Sequence, residues 1–185
     1  VAFDPYSLIQ ALRHHAPTDL PPVHRWHPDC VQDIDMHIGR DGTWFYQGSS
    51  IDRPEMVRLF STLLRREDDG FFLITPHEKI LVQVDLAPFI AVRMESIVET
   101  TGPAIAFQTN VGDVVVVDSD HPLWVEEDDR GPVPLIRIRD RLDALLGRSV
   151  FYEIAESGTT RNIDGREMLG VVSREKFWVL GSTSE

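Results

Sequence analysis

The sequence predicts an α+β protein: two related small domains of antiparallel strands with one helix each, preceded by an N-terminal helix. Three observations carry this. Short apolar runs alternate with polar residues at period two, and Gly, Pro, Asn and Asp punctuate them at hairpin spacing. Two stretches break that alternation with helical spacing. The order strand, turn, strand, helix, strand is read twice, first over residues 33–84 and again after Leu123. The predicted division is 1–28 for the N-terminal helix and connector, 29–88 for the first α+β domain and 89–185 for the second.

Taken in order, Asp4-Pro5 caps a short helix through His15, with Leu8, Ile9 and Leu12 as its apolar edge. Residues 16–28 hold four prolines and read as an extended connector anchored by Trp26. Ile34, Met36 and Ile38 alternate as a half-buried strand, Asp41-Gly42 supplies the positive φ of a tight turn, and residues 43–47 return. Asp52 and Glu55 form a capping box with Pro54 in the first turn. Met56, Val57, Phe60, Leu63 and Leu64 make the apolar stripe of the helix that follows. Residues 71–74 and 80–84 form a second hairpin around Thr75-Pro76-His77-Glu78.

In the second half, Ile90, Val92, Met94 and Val98 alternate with charged neighbours. Turns at Thr101-Gly102-Pro103 and Asn110-Val111-Gly112-Asp113 are too short for parallel crossovers, so consecutive strands are antiparallel. Leu123-Trp124-Val125 is a strand, and Arg130-Gly131 stands where Asp41-Gly42 stood. Leu135, Ile136 and Ile138 make the return strand. Residues 140–146 then read as a short helix with Gly147 as its C′ residue, and 150–155 as a strand. Two strands near 168–172 and 177–180 complete the chain.

Composition excludes some classes of function. A formal net charge of −12, with Lys and Arg scattered, repels nucleic acid. No apolar run approaches the ~20 residues of a membrane span, and residues 1–16 lack the pattern of a signal peptide. Cys30 is the only cysteine, so no internal disulfide forms. The expectation is a cytoplasmic protein with neither nucleic-acid nor membrane partners. No Walker-type loop is present, and Gly39 and Gly42 do not complete a dinucleotide fingerprint, so no cofactor is expected.

Four constellations carry chemistry. Thr75-Pro76-His77-Glu78-Lys79 is either a capped turn with a solvated charge pair or a site where Lys79 meets an anion and Thr75 donates to it. Thr109-Asn110-Val111-Gly112 is either a β-turn or a reader of a base edge or phosphate. Asp118, Asp120 and His121 offer oxygen and imidazole to a divalent metal, although residues at a strand end point apart; the alternative is His121 bonded to backbone. Arg53, Arg65, Arg139 and Arg148 flank the helices, either pairing with acidic turns or clamping a phosphate. No serine sits in a glycine elbow, and Asp29 and Asp33 beside Cys30 oppose a reactive thiolate.

The stretches Ile34-Asp35-Met36, Asp41-Gly42-Thr43-Trp44-Phe45, Ile51-Asp52-Arg53, Thr75-Pro76, Glu78-Lys79, Ala87-Pro88-Phe89, Thr109-Asn110-Val111-Gly112-Asp113, His121-Pro122-Leu123 and Leu169-Gly170-Val171 resemble one bacterial family, the domain of unknown function 1285. The resemblance runs from about residue 29 to 181. It implies two related α+β domains, the second loosely like a pleckstrin-homology fold. It also implies a nucleotide-like ligand at the domain interface and a role in signalling. The chain departs from the pattern at Asp85-Leu86, at Leu135-Ile136-Arg137 and at Ser173-Arg174-Glu175-Lys176, where the family has an acidic pair, an aromatic-rich stretch and a glycine-rich turn.

The expected function is therefore a non-catalytic sensor or adaptor for a small anionic, nucleotide-like molecule. Its expected ligand-binding residues are Thr75, Glu78, Lys79, Thr109, Asn110, His121 and Arg139. The alternatives are a metal-assisted hydrolase built on His121, and a protein–protein interaction module or homo-oligomer.

Overall fold

The computed structural model describes residues 20–100 and 102–183. The predicted helix over residues 4–15 lies outside them. The chain divides into two units, Val1–Asp85 and Leu86–Glu185.

Among the described residues of the first unit, a 3-10 turn at Val23–Arg25 precedes seven strands and one helix: β1 (Val31–Gln32), β2 (Met36–Ile38), β3 (Trp44–Tyr46), β4 (Ser49–Ser50), α1 (Pro54–Leu63), β5 (Leu64–Glu67), β6 (Gly70–Ile74) and β7 (Lys79–Val84). They form one sheet in the order β4-β3-β2-β7-β6-β5. Each group of three is antiparallel, and a parallel pair, His37 opposite Gln83 and Ile38 opposite Val84, joins them. β1 also runs parallel to β7, pairing Val31 with Lys79.

The helix stripe packs as its spacing requires. Phe60 and Leu63 are fully buried, and the Phe60 ring lies 6.2 Å from that of Trp44 on β3. Burying one such side chain contributes roughly 1.5–3 kcal/mol. The cap differs from the expected box: Arg53 is the N-cap and makes no side-chain cap bond, while Asp52 accepts from the Ser50 hydroxyl. Pro54 at the first helical position removes one of the donors a cap would satisfy. The stripe also overshoots, because Leu64 already belongs to β5, where it pairs with Leu73. Val23, not Trp26, is the buried anchor of the connector; Trp26 is half-buried.

Among its described residues the second unit has nine strands and one helix: β8 (Phe89–Glu99), β9 (Gly102–Thr109), β10 (Val114–Val116), β11 (Leu123–Asp128), β12 (Gly131–Arg139), β13 (Leu142–Leu146), α2 (Arg148–Glu156), β14 (Thr159–Ile163), β15 (Arg166–Ser173) and β16 (Lys176–Ser182). Six form a sheet, β10-β9-β8-β13-β12-β11, again joined at its centre by a parallel pair, β8 with β13. The last three form a separate antiparallel sheet, β14-β15-β16. Ser173 ties the sheets together. Its hydroxyl, wholly buried, donates to the Val117 carbonyl at 2.7 Å and accepts from the Ile105 N–H at 3.0 Å.

Two predictions here exchange places. Residues 140–146, expected as helix, are a hairpin turn and β13; residues 150–155, expected as strand, lie in α2. Leu142, Ala144 and Leu146 are buried at period two, paired with β12 on one side and β8 on the other. In α2, Val150 and Ile154 are the buried pair, four residues apart. Gly147 begins this helix rather than ending the previous one. Its N–H donates to the Ala91 carbonyl at 2.9 Å, and a Cβ there would lie 3.0 Å from that oxygen.

β12 runs through Pro132 and Pro134, opposite Glu127 and Val125. The Arg137 N–H donates toward β11, to the Pro122 carbonyl. Alternate residues point the other way, so both proline nitrogens face the side where β13 pairs only from Leu135 onward. No ladder bond is lost there.

A succession of three strands, a helix and three strands therefore recurs, as β2–β4, α1, β5–β7 and as β11–β13, α2, β14–β16. Among the described residues no helix is long and apolar enough to cross a membrane.

Candidate functional site

In the first unit the expected site residues are consumed by the fold. Thr75 is 5% exposed, and its hydroxyl accepts from the N–H groups of His77 and Glu78 while donating to the Glu78 carbonyl at 3.1 Å. This is the capped turn. Lys79 Nζ lies 2.7 Å from Glu67 Oε2 and 4.4 Å from the centre of the Phe72 ring. Glu67 also receives Arg65, whose guanidinium holds the Val23 and Trp26 carbonyls at 2.6 and 2.8 Å. The Lys79 hydrogen bond holds the Glu67 carboxyl below its ordinary range, with Arg65 adding to it. Lys79 thus belongs to a clamp that fastens the connector to β5 and β7. Glu78 is half-buried at the same turn.

Sequence reasoning missed a second pair. His37 Nε2 lies 2.8 Å from Asp85 Oδ1, its ring stacks on Phe45 at 5.5 Å, and Asp85 also accepts from the Arg40 N–H. These residues are 48 apart in the chain, so no local spacing announces them.

In the second unit, Thr109, Asn110 and Arg139 do meet. The Thr109 hydroxyl accepts from the Asp113 N–H at 3.0 Å, and the Asn110 side-chain oxygen accepts from the Ile90 N–H at 3.0 Å. The Asn110 N–H returns a bond to the Ile90 carbonyl. Arg139 reaches Asp113 Oδ2 at 2.5 Å and places its guanidinium 5.0 Å from the centre of the Phe89 ring. The Thr109 hydroxyl, the Asn110 side-chain oxygen and the Arg139 guanidinium there each have a protein partner. The cluster fixes the β9–β10 turn against the start of β8.

His121 stands apart from that cluster. Its Nδ1 meets the Arg137 carbonyl at 3.1 Å, and its N–H donates to Asp118 Oδ1, as does that of Asp120. Burial would raise the Asp118 carboxyl, but those two N–H groups, together with the charges of His121 and Arg174, leave the group below its ordinary range. Asp118 and Glu99 both receive Arg174, whose φ of 47° lies in the left-handed region. Among the described residues no group of three or more His, Cys, Asp or Glu is placed to hold a metal ion.

A sizeable open space lies elsewhere, wholly within the second unit. It is a groove of about 700 Å³ between α2, the edge strand β11 and the last two strands. Val125 and Glu127 line it from β11, Phe151 and Tyr152 from α2, and Met168 and Leu169 from β15. Gly170 shapes this wall. The register shifts by one residue between Leu169 and Gly170, and a Cβ on Gly170 would fall 2.4 Å from the Trp178 carbonyl and 2.5 Å from the Phe177 ring. Phe177 covers the bare backbone and is covered in turn by Arg161, 4.4 Å from its centre. The groove was not legible beforehand, because its residues come from four segments that share no periodicity. Tyr152, a large side chain 55% exposed on a helix, is the nearest thing to a signal.

Comparison with known proteins places the chain. Residues 21–87 match the family model described as domain of unknown function (DUF1285), N-terminal domain, and residues 88–180 match that of the DUF1285 C-terminal domain. A crystal structure of a DUF1285 family protein from Silicibacter pomeroyi DSS-3 is 39% identical, with a TM-score of 0.82 over 95% of each chain. One from Shewanella baltica OS155 is 27% identical, with a TM-score of 0.53 over 66% of this chain and 91% of that one. No curated protein matches.

Proposed function

This chain belongs to the DUF1285 family, whose description names no activity, and on that footing we propose that it is a non-catalytic ligand-binding sensor or adaptor whose ligand seat is the groove of its second unit. The observation that carries the reading is the groove itself. Its volume of about 700 Å³ falls in the span of small-molecule seats, roughly 300–1,000 Å³, and its lining is mostly apolar with a few polar groups. Two histidines and two buried serines that chemistry would recruit are engaged in holding turns, helix and sheets: His121 on Arg137, His37 on Asp85, Ser173 on Val117 and Ser61 on Arg58. Occupation of the groove would report ligand level to a partner, which is the route to a role in signalling. The loose likeness of the second unit to a pleckstrin-homology fold belongs to this proposal, supported by its two sheets and single helix.

A screen of apolar-bodied small molecules against the full chain, read by backbone chemical shifts, tests it. Hits should cluster on the amides of Val125, Phe151 and Met168. A hundredfold excess over Kd should stabilise the protein by roughly 2.7 kcal/mol. Ala155→Phe, which fills the groove from α2, should abolish the hits. Shifts that avoid these residues would refute the seat.

A second reading keeps the anionic, nucleotide-like ligand and places it on the Thr109, Asn110 and Arg139 cluster. The convergence of those three residues favours it. It requires the anion to displace the Asp113 carboxylate from Arg139, so Asp113→Asn should tighten phosphate binding if it holds.

A further inference from the structure

We infer that the groove takes a small molecule with an apolar body and a single cationic head, an ammonium or guanidinium, and that Glu127 reads the head; this rests on the groove being the ligand seat. The lining contains one charged side chain, Glu127. Its neighbours on the β11–β12 turn are occupied: Glu126 accepts from the Trp124 indole N–H at 2.8 Å, and Asp128 from the Arg130 N–H at 2.7 Å. Among the described residues the Glu127 carboxylate has no such partner.

Strand geometry aims it. Val125 and Glu127 are two apart on β11 and so share a face, and both line the groove. A ligand body lying along Val125 therefore brings its end to the carboxylate. Phe151 across the groove presents an aromatic ring with no cation over it among the described residues, a further favourable surface for a desolvated positive charge. Arg148 is already committed to Tyr152, 5.7 Å from the ring centre and 3.4 Å from the hydroxyl. The field of a chain with net charge −12 draws cations and repels anions from such a mouth.

Three probes of one body and different heads separate this from the groove reading: 4-phenylbutylamine, 4-phenylbutanol and 4-phenylbutyrate. Each is titrated into the full chain at neutral pH and followed by the amides of Val125, Phe151 and Met168. The ammonium should bind about fivefold more tightly than the alcohol, the scale of one partly exposed ion pair. The carboxylate should bind more weakly than the alcohol. Glu127→Gln should bring the ammonium to the affinity of the alcohol and leave the alcohol unchanged. Glu126→Gln should leave the preference intact. Equal affinities, a preference for the carboxylate, or a preference that survives Glu127→Gln would overturn the inference while the groove remains a seat. Silence from all three probes would overturn both.

Discussion

The two units spend the same succession of elements differently. In the first, the three strands after α1 join the three before it edge to edge, and the result is one sheet under one helix. In the second, β8–β13 take that same sheet order, with β8 standing where β2 stands and β13 where β7 stands, and the three strands after α2 form a further sheet of their own. The first arrangement seals its polar groups into turns and clamps. The second leaves β11 and β15 facing each other across space that α2 does not fill. A cavity therefore needs no special motif. It arises here where an added helix and an added sheet meet the edge strand of the repeated one.

The comparison can be broken most forcibly at the helix of the closed unit. Phe60→Ala should cost about 3–5 kcal/mol, since a fully buried ring against Trp44 leaves a void that a paired sheet cannot collapse into. Urea unfolding and amide exchange in β2 and β3 would show it.

Gly170→Ala tests the open unit. The added Cβ meets the Trp178 backbone, which cannot rotate away, so the expected loss is about 1–3 kcal/mol. The amides of β15 and β16 should shift, and groove binding should fall with them. A silent substitution would mean that Gly170 does not shape the wall.

Glu67→Gln sharpens the account of the clamp in the first unit, with an expected loss of about 1–2 kcal/mol at neutral pH. Glu67 has a lowered folded-state pKa, so its stabilisation is present above its ordinary value of 4.5 and is lost as pH falls through the folded value. The gap in stability between the wild type and the variant should accordingly close in acid. A gap that held constant into acid would refute the ionic origin of the clamp.

The smallest effect belongs to Asn110→Ala, which leaves the Ile90 N–H without its side-chain acceptor at a partly exposed site and should cost about 0.5–1.5 kcal/mol. If phosphate binding also disappeared, Asn110 would be a ligand group rather than a pin.

Much of the local architecture was legible because its causes are local. Asp41-Gly42 makes a hairpin turn because Gly42, at φ 80°, tolerates what a side chain resists. Thr75 and Asn110 read from the sequence both as turn residues and as ligand groups, and in the fold each side chain bonds backbone, Thr75 at Glu78 and Asn110 at the Ile90 N–H. For Lys79 and Arg139 the sequence leaves pairing and ligand binding both open, because Glu67 and Asp113 stand 12 and 26 residues away, beyond any window of spacing.

The sequence by itself determined that alternating apolar runs and turn residues would build strands, that Phe60 would face a core, and that the chain would fall into two related parts. Tertiary structure alone decided residues 142–156. Leu142-Asp143-Ala144-Leu145-Leu146 favours a helix by propensity, and it became a strand because β8 and β12 offered hydrogen-bonding edges on both its sides. Gly147 then had to approach the Ala91 carbonyl, which started the helix after it. The groove follows from that choice. Propensity acts within a few residues, whereas an unfilled edge is a property of which distant strand arrives beside it.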